Sequence, residues 1–95
     1  MAAYVIVDVD ITDPEKYAEY TKPVPESIAE HGGRFLVRGG TCEVLEGDWQ
    51  PRRLVVIEFP NTDAALGWYR SVEYQDLAKI RWSASSANFI LAEGV

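Results

Sequence analysis

Three charged residues on predicted strands are the strongest candidates for chemistry in this sequence. Asp8 and Glu58 each interrupt an apolar stretch of alternating side chains, and Arg38 lies near the end of a third such stretch. Alternation is expected to place all three on one face of a sheet. Two carboxylates beside an arginine can take different pKa values and act as acid and base. The alternative is an ion-pair network that balances buried charge at a dimer interface or a barrel end.

His31 is a fourth candidate, because it is the only histidine in the chain. It follows a predicted helix, whose dipole favours the charged form of an imidazole at the C-terminal end. One interpretation makes it a general base, and the other makes it a surface residue next to the end of a helix. The candidate catalytic residues are therefore Asp8, His31, Arg38 and Glu58.

Aromatic side chains on the predicted helices form a second group of candidates. These side chains could line a pocket for a small, flat organic ligand. The alternative is plain core packing, although buried tyrosine hydroxyls need hydrogen-bond partners. Arg81, near the inward side of the last predicted helix, joins them as a candidate. The predicted ligand-binding residues are Tyr17, Tyr20, Trp68, Tyr69, Tyr74 and Arg81.

The residue content excludes several other kinds of site. Cys42 is the only cysteine, so neither an intrachain disulfide nor a thiolate metal cluster is possible. One histidine cannot support both a catalytic triad and a metal site, and no G-x-S-x-G nucleophile motif occurs. The glycine pairs at 32–33 and 39–40 lack the spacing of a dinucleotide-binding loop. We therefore predict no metal and no tightly bound cofactor in the purified protein.

Length and charge bound the partners that the protein can have. A chain of 95 residues has room for one domain, over residues 1–95. Nine basic and fifteen acidic side chains give a net charge of −6, which repels nucleic acid and anionic membranes. The apolar N-terminus carries Asp8 and Asp10 and is predicted to be neither a signal peptide nor a membrane span. A cytoplasmic location is the resulting expectation.

Strand-like alternation recurs four times along the chain. The predicted strands are residues 3–11, 34–39, 52–59 and 86–93. Gly39 and Gly40 predict a bulge. The stretch 41–47 is expected to continue in an extended conformation after it.

The first helical region runs from about residue 13 to His31. Pro23 and Pro25 lie inside it, so the helix must kink or split into two. Two caps fit its start, a capping box of Thr12 with Glu15, or Asp13 with Pro14 at the first helical position.

The second helical region is predicted to hold two helices. Asn61 or Thr62 can cap a short helix that runs through Tyr69, and Ser71 can cap a longer one that ends near Trp82. The resulting order, βαββαβ, is typical of an α+β ferredoxin-like fold with a four-stranded antiparallel sheet of order 4-1-3-2. Right-handed crossovers put both helical regions on one face.

The second face of this sheet is left without cover, and this predicts a homodimer. One set of strand positions is wholly apolar and the other is mixed, so neither is suited to contact with water. Two sheets packed face to face would bury the uncovered side. The sequence leaves open which set meets the partner subunit.

Several motifs together resemble one known family. The chain resembles the bacterial domain-of-unknown-function family 1330, within the dimeric α/β barrel superfamily, over nearly its whole length. The resemblance implies a ferredoxin-like protomer and a homodimer whose sheets form a barrel. Haem-degrading members of the superfamily use a histidine, which adds haem ligation to the roles open to His31. The motifs are DPEKYAEY (13–20), HGGRFLVRGG (31–40), EGDWQPRRLVVIEFP (46–60) and WYRSVEYQ (68–75), with Arg81 downstream.

Three functions are compatible with these patterns. The first is a cofactor-independent enzyme that works in a pocket between helices and sheet. The second is a module that binds or senses a small organic molecule without catalysis, and the third is a structural dimer. The family has no established reaction, so the resemblance assigns no catalytic residue, and fold alone does not decide among the three.

Overall fold

A computed structural model describes residues 1–95 as one four-stranded sheet covered on one face by helices. The strands are antiparallel and follow the order β2-β3-β1-β4. This is the predicted order 4-1-3-2, so the ferredoxin-like α+β class is confirmed. No helix combines the length and hydropathy that crossing a bilayer requires. The elements are β1 (Ala3–Ile11), α1 (Pro14–Thr21), α2 (Val24–Glu30), β2 (Arg34–Arg38), β3 (Leu54–Phe59), α3 (Thr62–Arg70), α4 (Val72–Ala84) and β4 (Ser85–Glu93).

The first helical region is split, as its prolines require. The helix α1 ends at Thr21 and α2 begins at Val24, because a proline ring cannot accommodate the carbonyl one turn earlier. Of the two predicted caps, Asp13 is the one formed. Its side chain accepts a hydrogen bond from the backbone N–H of Lys16 at 3.2 Å, and Pro14 opens the helix.

Side-chain caps also set the boundaries of α3 and α4. Asn61 accepts a hydrogen bond from the backbone N–H of Ala64 at 2.8 Å, which starts α3. Ser71 has extended backbone angles and accepts from the N–H of Tyr74 at 3.1 Å. One serine therefore ends α3 and begins α4, which turns the chain between two helices without a loop.

The helices cover the wholly apolar set of strand positions. Along β1 every second residue from Ala3 to Val9 is buried, and the residues between them are only partly buried. The helices bury Trp68, Tyr74 and Ile28 completely or nearly so against this face. This settles which set of positions faces the helices, and it leaves the mixed set on the other side.

Gly33, just before β2, lies where no side chain can fit. A Cβ at this position would lie 2.6 Å from Phe59 Cε1 and 2.7 Å from Ile28 Cγ2. Both neighbours are fully buried and have little freedom to move. We expect Gly33→Ala to lower the free energy of unfolding by about 1–3 kcal/mol through overpacking. Urea unfolding measures the loss. The matched control is Gly40→Ala, which would meet no atom within 4 Å.

The mixed face of the sheet has no helix against it. We call it the open face, and its centre is Ile6, which pairs with Val56 on one side and Ile90 on the other. Ile90 is 60% exposed, and Leu36 at the sheet edge is also exposed. Neighbouring apolar side chains in contact with water are typical of a surface that meets another protein.

The segment from residue 40 to residue 53 corrects one prediction. The stretch 41–47 was expected to be extended, but it belongs to no strand, and residues 39–50 are all exposed. Gly39 takes a φ of 73°, which turns the chain away from the sheet. The chain returns at Arg53, whose carbonyl accepts from the N–H of Val9 at 3.0 Å.

The strand β2 contains a bulge, but earlier than predicted. Phe35 pairs with Ile57, whereas Val37 pairs with Val56, so Leu36 is an extra residue between two paired ones. An extra residue reverses the alternation of side chains beyond it. After the bulge, Val37 therefore shares a face with Val56 on the open side.

Candidate ligand-binding cleft

The bulge moves Arg38 to the helix side of the sheet. Arg38 pairs with Val55, which is buried beneath the helices. Its guanidinium lies 4.5 Å from the centre of the Phe35 ring and donates a hydrogen bond to the carbonyl of Thr21 at 3.4 Å. The prediction that Arg38 shares a face with the two carboxylates is wrong, because simple alternation takes no account of a bulge.

The two carboxylates share the open face but lie far apart. Asp8 pairs with Leu54, whereas Glu58 pairs with Tyr4, four residues away along the sheet. At about 3.3 Å per residue this is a separation of about 13 Å, too far for the two groups to share a proton. Glu58 instead forms an ion pair with Arg34 at 2.8 Å. The predicted acid–base cluster is not formed.

Asp8 holds the irregular segment against the sheet. Its carboxylate accepts a hydrogen bond from the indole N–H of Trp49 and another from the backbone N–H of Arg52, both at 2.9 Å. The bond from Trp49 lowers the pKa of Asp8 below its usual range, although partial desolvation opposes it. The group is therefore ionised at neutral pH and serves as an acceptor rather than a proton donor.

His31 lies at the end of α2, as predicted, and is half-buried. Its Nδ1 is 3.0 Å from the carbonyl oxygen of Ser27. The carbonyl can only accept, so this contact fixes the proton on Nδ1. The imidazole does not line the cleft described next, and it is separate from the other candidates.

A cleft opens between α1 and the sheet. The total empty volume of the cleft, including its open mouth, is about 410 Å³. Only about 30 Å³ of this volume is wide enough to hold a water molecule. Arg38 is exposed and lines this cleft, so an organic ligand would have to displace its side chain from Phe35 and Thr21 to enter. The wall is mostly apolar, which suits a flat hydrophobic ligand. The lining residues are Val7, Tyr17, Tyr20, Thr21, Val24, Phe35, Arg38, Arg53, Val55, Ile57, Trp68 and Phe89.

The predicted aromatic group divides between this cleft and the core behind it. Tyr17, Tyr20 and Trp68 line the cleft. Tyr74 is fully buried, and its ring lies 4.1 Å from that of Trp68, centre to centre. Tyr69 lies instead on a separate apolar depression beside β4. Tyr17 and Tyr20 therefore fit the interpretation as pocket lining, whereas Tyr74 fits the interpretation as core packing.

The tyrosine hydroxyls at the cleft are held in their neutral form. The hydroxyls of Tyr20 and Tyr74 are 2.6 Å apart and share a hydrogen bond. Burial raises the pKa of both residues above the usual value. Burial also raises the pKa of Tyr17, although the nearby positive charge of Arg53 opposes this. These hydroxyls can donate hydrogen bonds near neutral pH, but they cannot act as bases.

Two arginines beside the cleft have no acidic partner. Arg81 is 4% exposed, and its guanidinium lies 4.2 Å from the centre of the Phe89 ring, which lines the cleft. The buried Nε atoms of Arg81 and Arg53 have no hydrogen-bond partner. The two salt bridges of the chain involve other residues. A buried cation without a counter-charge is costly, so the position of Arg81 favours an anion nearby, and the partly buried Arg53 adds a second positive charge.

Arg53 is a site residue that the sequence reasoning missed. A signal for it was present, because Arg53 lies two residues before Val55 and four before Ile57, in phase with the buried side of β3. An arginine in phase with buried positions is unusual enough to single out. Arg81, by contrast, was among the predicted ligand-binding residues and lies next to the cleft.

No three His, Cys, Asp or Glu side chains converge in a way that could hold a metal ion. The expectation of no metal and no tightly bound cofactor concerns the purified protein and stays a prediction. Elemental analysis and an absorption spectrum of the purified protein measure it.

Comparison with solved structures places the fold among known proteins. A protein of unknown function from Rhodopseudomonas palustris is 19% identical with a TM-score of 0.80, over 99% of this chain and 82% of that one. SnoaB, a cofactor-independent oxygenase from Streptomyces nogalater, is 12% identical with a TM-score of 0.62, over 99% and 92%. A dimeric protein of unknown function and ferredoxin-like fold from Bacteroides fragilis is 17% identical with a TM-score of 0.55, over 98% and 96%.

These identities are low and establish the fold alone. No curated protein matches the chain. A family model, however, matches residues 2–95, which is almost the whole sequence, and it agrees with the resemblance seen in the motifs. The chain therefore belongs to the DUF1330 family, a domain of unknown function.

Proposed function

We propose that this protein binds a small, flat organic molecule in the cleft between α1 and the sheet, as one domain over residues 1–95. The observation that supports this most directly is a mostly apolar cleft beside which Arg53 and Arg81 lie without acidic partners. Apolar walls with a few convergent polar groups are typical of small-molecule sites. The cytoplasmic location expected from the sequence remains part of this proposal.

A cofactor-independent enzyme is the second candidate. SnoaB, with the same fold, is described as a cofactor-independent oxygenase. In this chain the neutral hydroxyls of Tyr17 and Tyr20 could donate hydrogen bonds to a reacting oxygen atom, which would stabilise developing negative charge. A module that binds or senses its ligand without catalysis needs the same cleft. A purely structural dimer does not.

We also propose that the open face packs against the same face of a second copy. The apolar centre around Ile6, Val56 and Ile90 supports this, because its contact with water would be relieved by face-to-face sheet packing. The Bacteroides fragilis neighbour, which has the same fold, is described as dimeric. We expect sedimentation to show a dimer at micromolar concentration, with an interface of about 2,000 Å². A folded monomer under these conditions would contradict the proposal.

Ligand binding is tested by thermal shift with mono- and bicyclic aromatic compounds, both neutral and acidic. A compound that fills the cleft is expected to raise the melting temperature by roughly 10–20 °C at a hundred times its dissociation constant. Thr21→Trp, which places an indole at the cleft, is expected to abolish the shift. Ala18→Trp on the exposed side of α1 is the matched control and should retain it. Equal shifts in both variants would place binding elsewhere.

A further inference from the structure

Three arginines lie in or beside the cleft and place positive charge near Tyr17. The charges of Arg53, Arg81 and Arg38 all favour ionisation of its hydroxyl, against the effect of burial. These guanidinium groups come from β2, from α4 and from the residue just before β3. No aspartate or glutamate is within 4 Å of any of them. A cluster of three cations without an acid is unusual in a chain whose net charge is −6.

The guanidinium of Arg53 packs closely against the backbone at Gly39. A Cβ on Gly39 would overlap Nη1 of Arg53 and lie 2.8 Å from its Cζ, so the guanidinium lies directly on this glycine. The positive φ of Gly39 also favours glycine there. The buried Nε of Arg53 has no partner. A guanidinium whose Nε has no hydrogen-bond partner therefore lines the cleft.

Arg81 is the more demanding case, because its side chain is almost wholly buried. Contact with the ring of Phe89 at 4.2 Å provides a cation–π interaction, but this does not satisfy its Nε. A valine or leucine would fill this part of the core without an unpaired charge. A buried guanidinium that has no acidic partner and an unsatisfied Nε, next to an apolar cleft, is the arrangement that an anionic ligand would complete.

We propose that the ligand of this cleft is an organic anion, a flat hydrophobic molecule with one carboxylate or enolate group held by Arg53 and Arg81. This inference rests on the proposed binding function and narrows it to one chemical class. The hydrophobic body of the ligand lies along Phe35, Val55 and Phe89, and its charged end is directed toward Tyr17. Guanidinium groups recognise such anions through charge-assisted hydrogen bonds.

The test compares two probes of nearly equal shape, 2-naphthoate and its neutral amide 2-naphthamide, by calorimetric titration of the unaltered protein. The acid is expected to bind at least tenfold more tightly than the amide. This ratio should fall as sodium chloride is added, because salt screens the attraction. Arg53→Met and Arg81→Met should each weaken naphthoate binding at least tenfold and leave naphthamide binding within about threefold. Arg52→Met, at the exposed neighbouring arginine, is the matched control and should change neither.

The possible outcomes separate the two proposals. If the amide binds as tightly as the acid, the anion inference is overturned while the cleft remains a binding site. If neither probe binds, the proposed function fails and the inference fails with it. If the acid binds equally well to Arg53→Met and Arg81→Met, the anion is held elsewhere and the inference is overturned. If Arg81→Met does not fold, two other measurements decide the result. These are the ratio of the acid's affinity to the amide's affinity in the unaltered protein, and the affinity of Arg53→Met for naphthoate.

Discussion

Trp68→Ala is expected to lower the free energy of unfolding by about 3–5 kcal/mol, the range for removal of a buried aromatic side chain. Trp68 is completely buried and packs against the rings of Phe59, Tyr69 and Tyr74. Its indole N–H donates to the hydroxyl of Ser27 at 3.1 Å. A domain of this size is stable by about 5–14 kcal/mol in total, so the variant should be near the limit of folding.

Urea unfolding at a fixed protein concentration measures this loss, since the proposed dimerisation would make apparent stability depend on concentration. Trp68→Phe keeps an aromatic ring and should lose less free energy of unfolding. It provides a measurable destabilisation if the alanine variant does not fold. Trp82→Ala is the matched control, because Trp82 is 53% exposed on α4, and we expect a loss below about 1 kcal/mol. A loss for Trp68→Ala no larger than that for Trp82→Ala would contradict the described core.

Ile6→Asp is expected to raise the dissociation constant of the proposed dimer at least a thousandfold. Ile6 lies at the centre of the open face, between Val56 and Ile90. In a symmetric dimer the substitution enters the interface twice. Each buried, unpaired carboxylate costs about 3–5 kcal/mol, and every 1.4 kcal/mol is a factor of ten in affinity. Analytical ultracentrifugation over a concentration series measures the change.

The control for Ile6→Asp introduces the same charge on the helix side of the molecule. Val72 is 78% exposed at the first position of α4, where a carboxylate is compatible with the helix dipole. Val72→Asp should leave the dissociation constant unchanged. An unchanged dimer in Ile6→Asp, with native circular dichroism, would show that the open face is not the interface.

The fold was accessible from the sequence because its signals are local and agree with one another. Alternation marked β1 and β3, and Ser71 marked the boundary between two helices through its capping hydroxyl. Pro23 required the first helical region to divide. Each of these features acts within a few residues, so no knowledge of the tertiary structure was needed to identify them.

The candidate site was harder to predict, because it depends on where strands meet. The side of the sheet on which Arg38 lies follows from its pairing with β3, and the bulge at Leu36 is visible only in that register. The separation of Asp8 from Glu58 also follows from register, since alternation fixes the face of a residue but not its position along the sheet. The tyrosines were identified from the sequence as a group. Which of them line the cleft and which lie in the core could be determined only from the packing of the helices on the sheet.

The bulge at Leu36 makes the pairing register, rather than residue type, the determinant of which face of the sheet each later residue of β2 occupies. A strand of the same residues without the bulge would alternate simply from Phe35, which would place Val37 on the helix side and Arg38 on the open face. Deletion of Leu36 itself would remove the bulge and keep Arg38 opposite Val55, so the guanidinium would stay beside the cleft. Among homologues, a one-residue gap at Leu36 should therefore be interpreted as loss of the bulge, with the residue aligned to Arg38 still on the helix side.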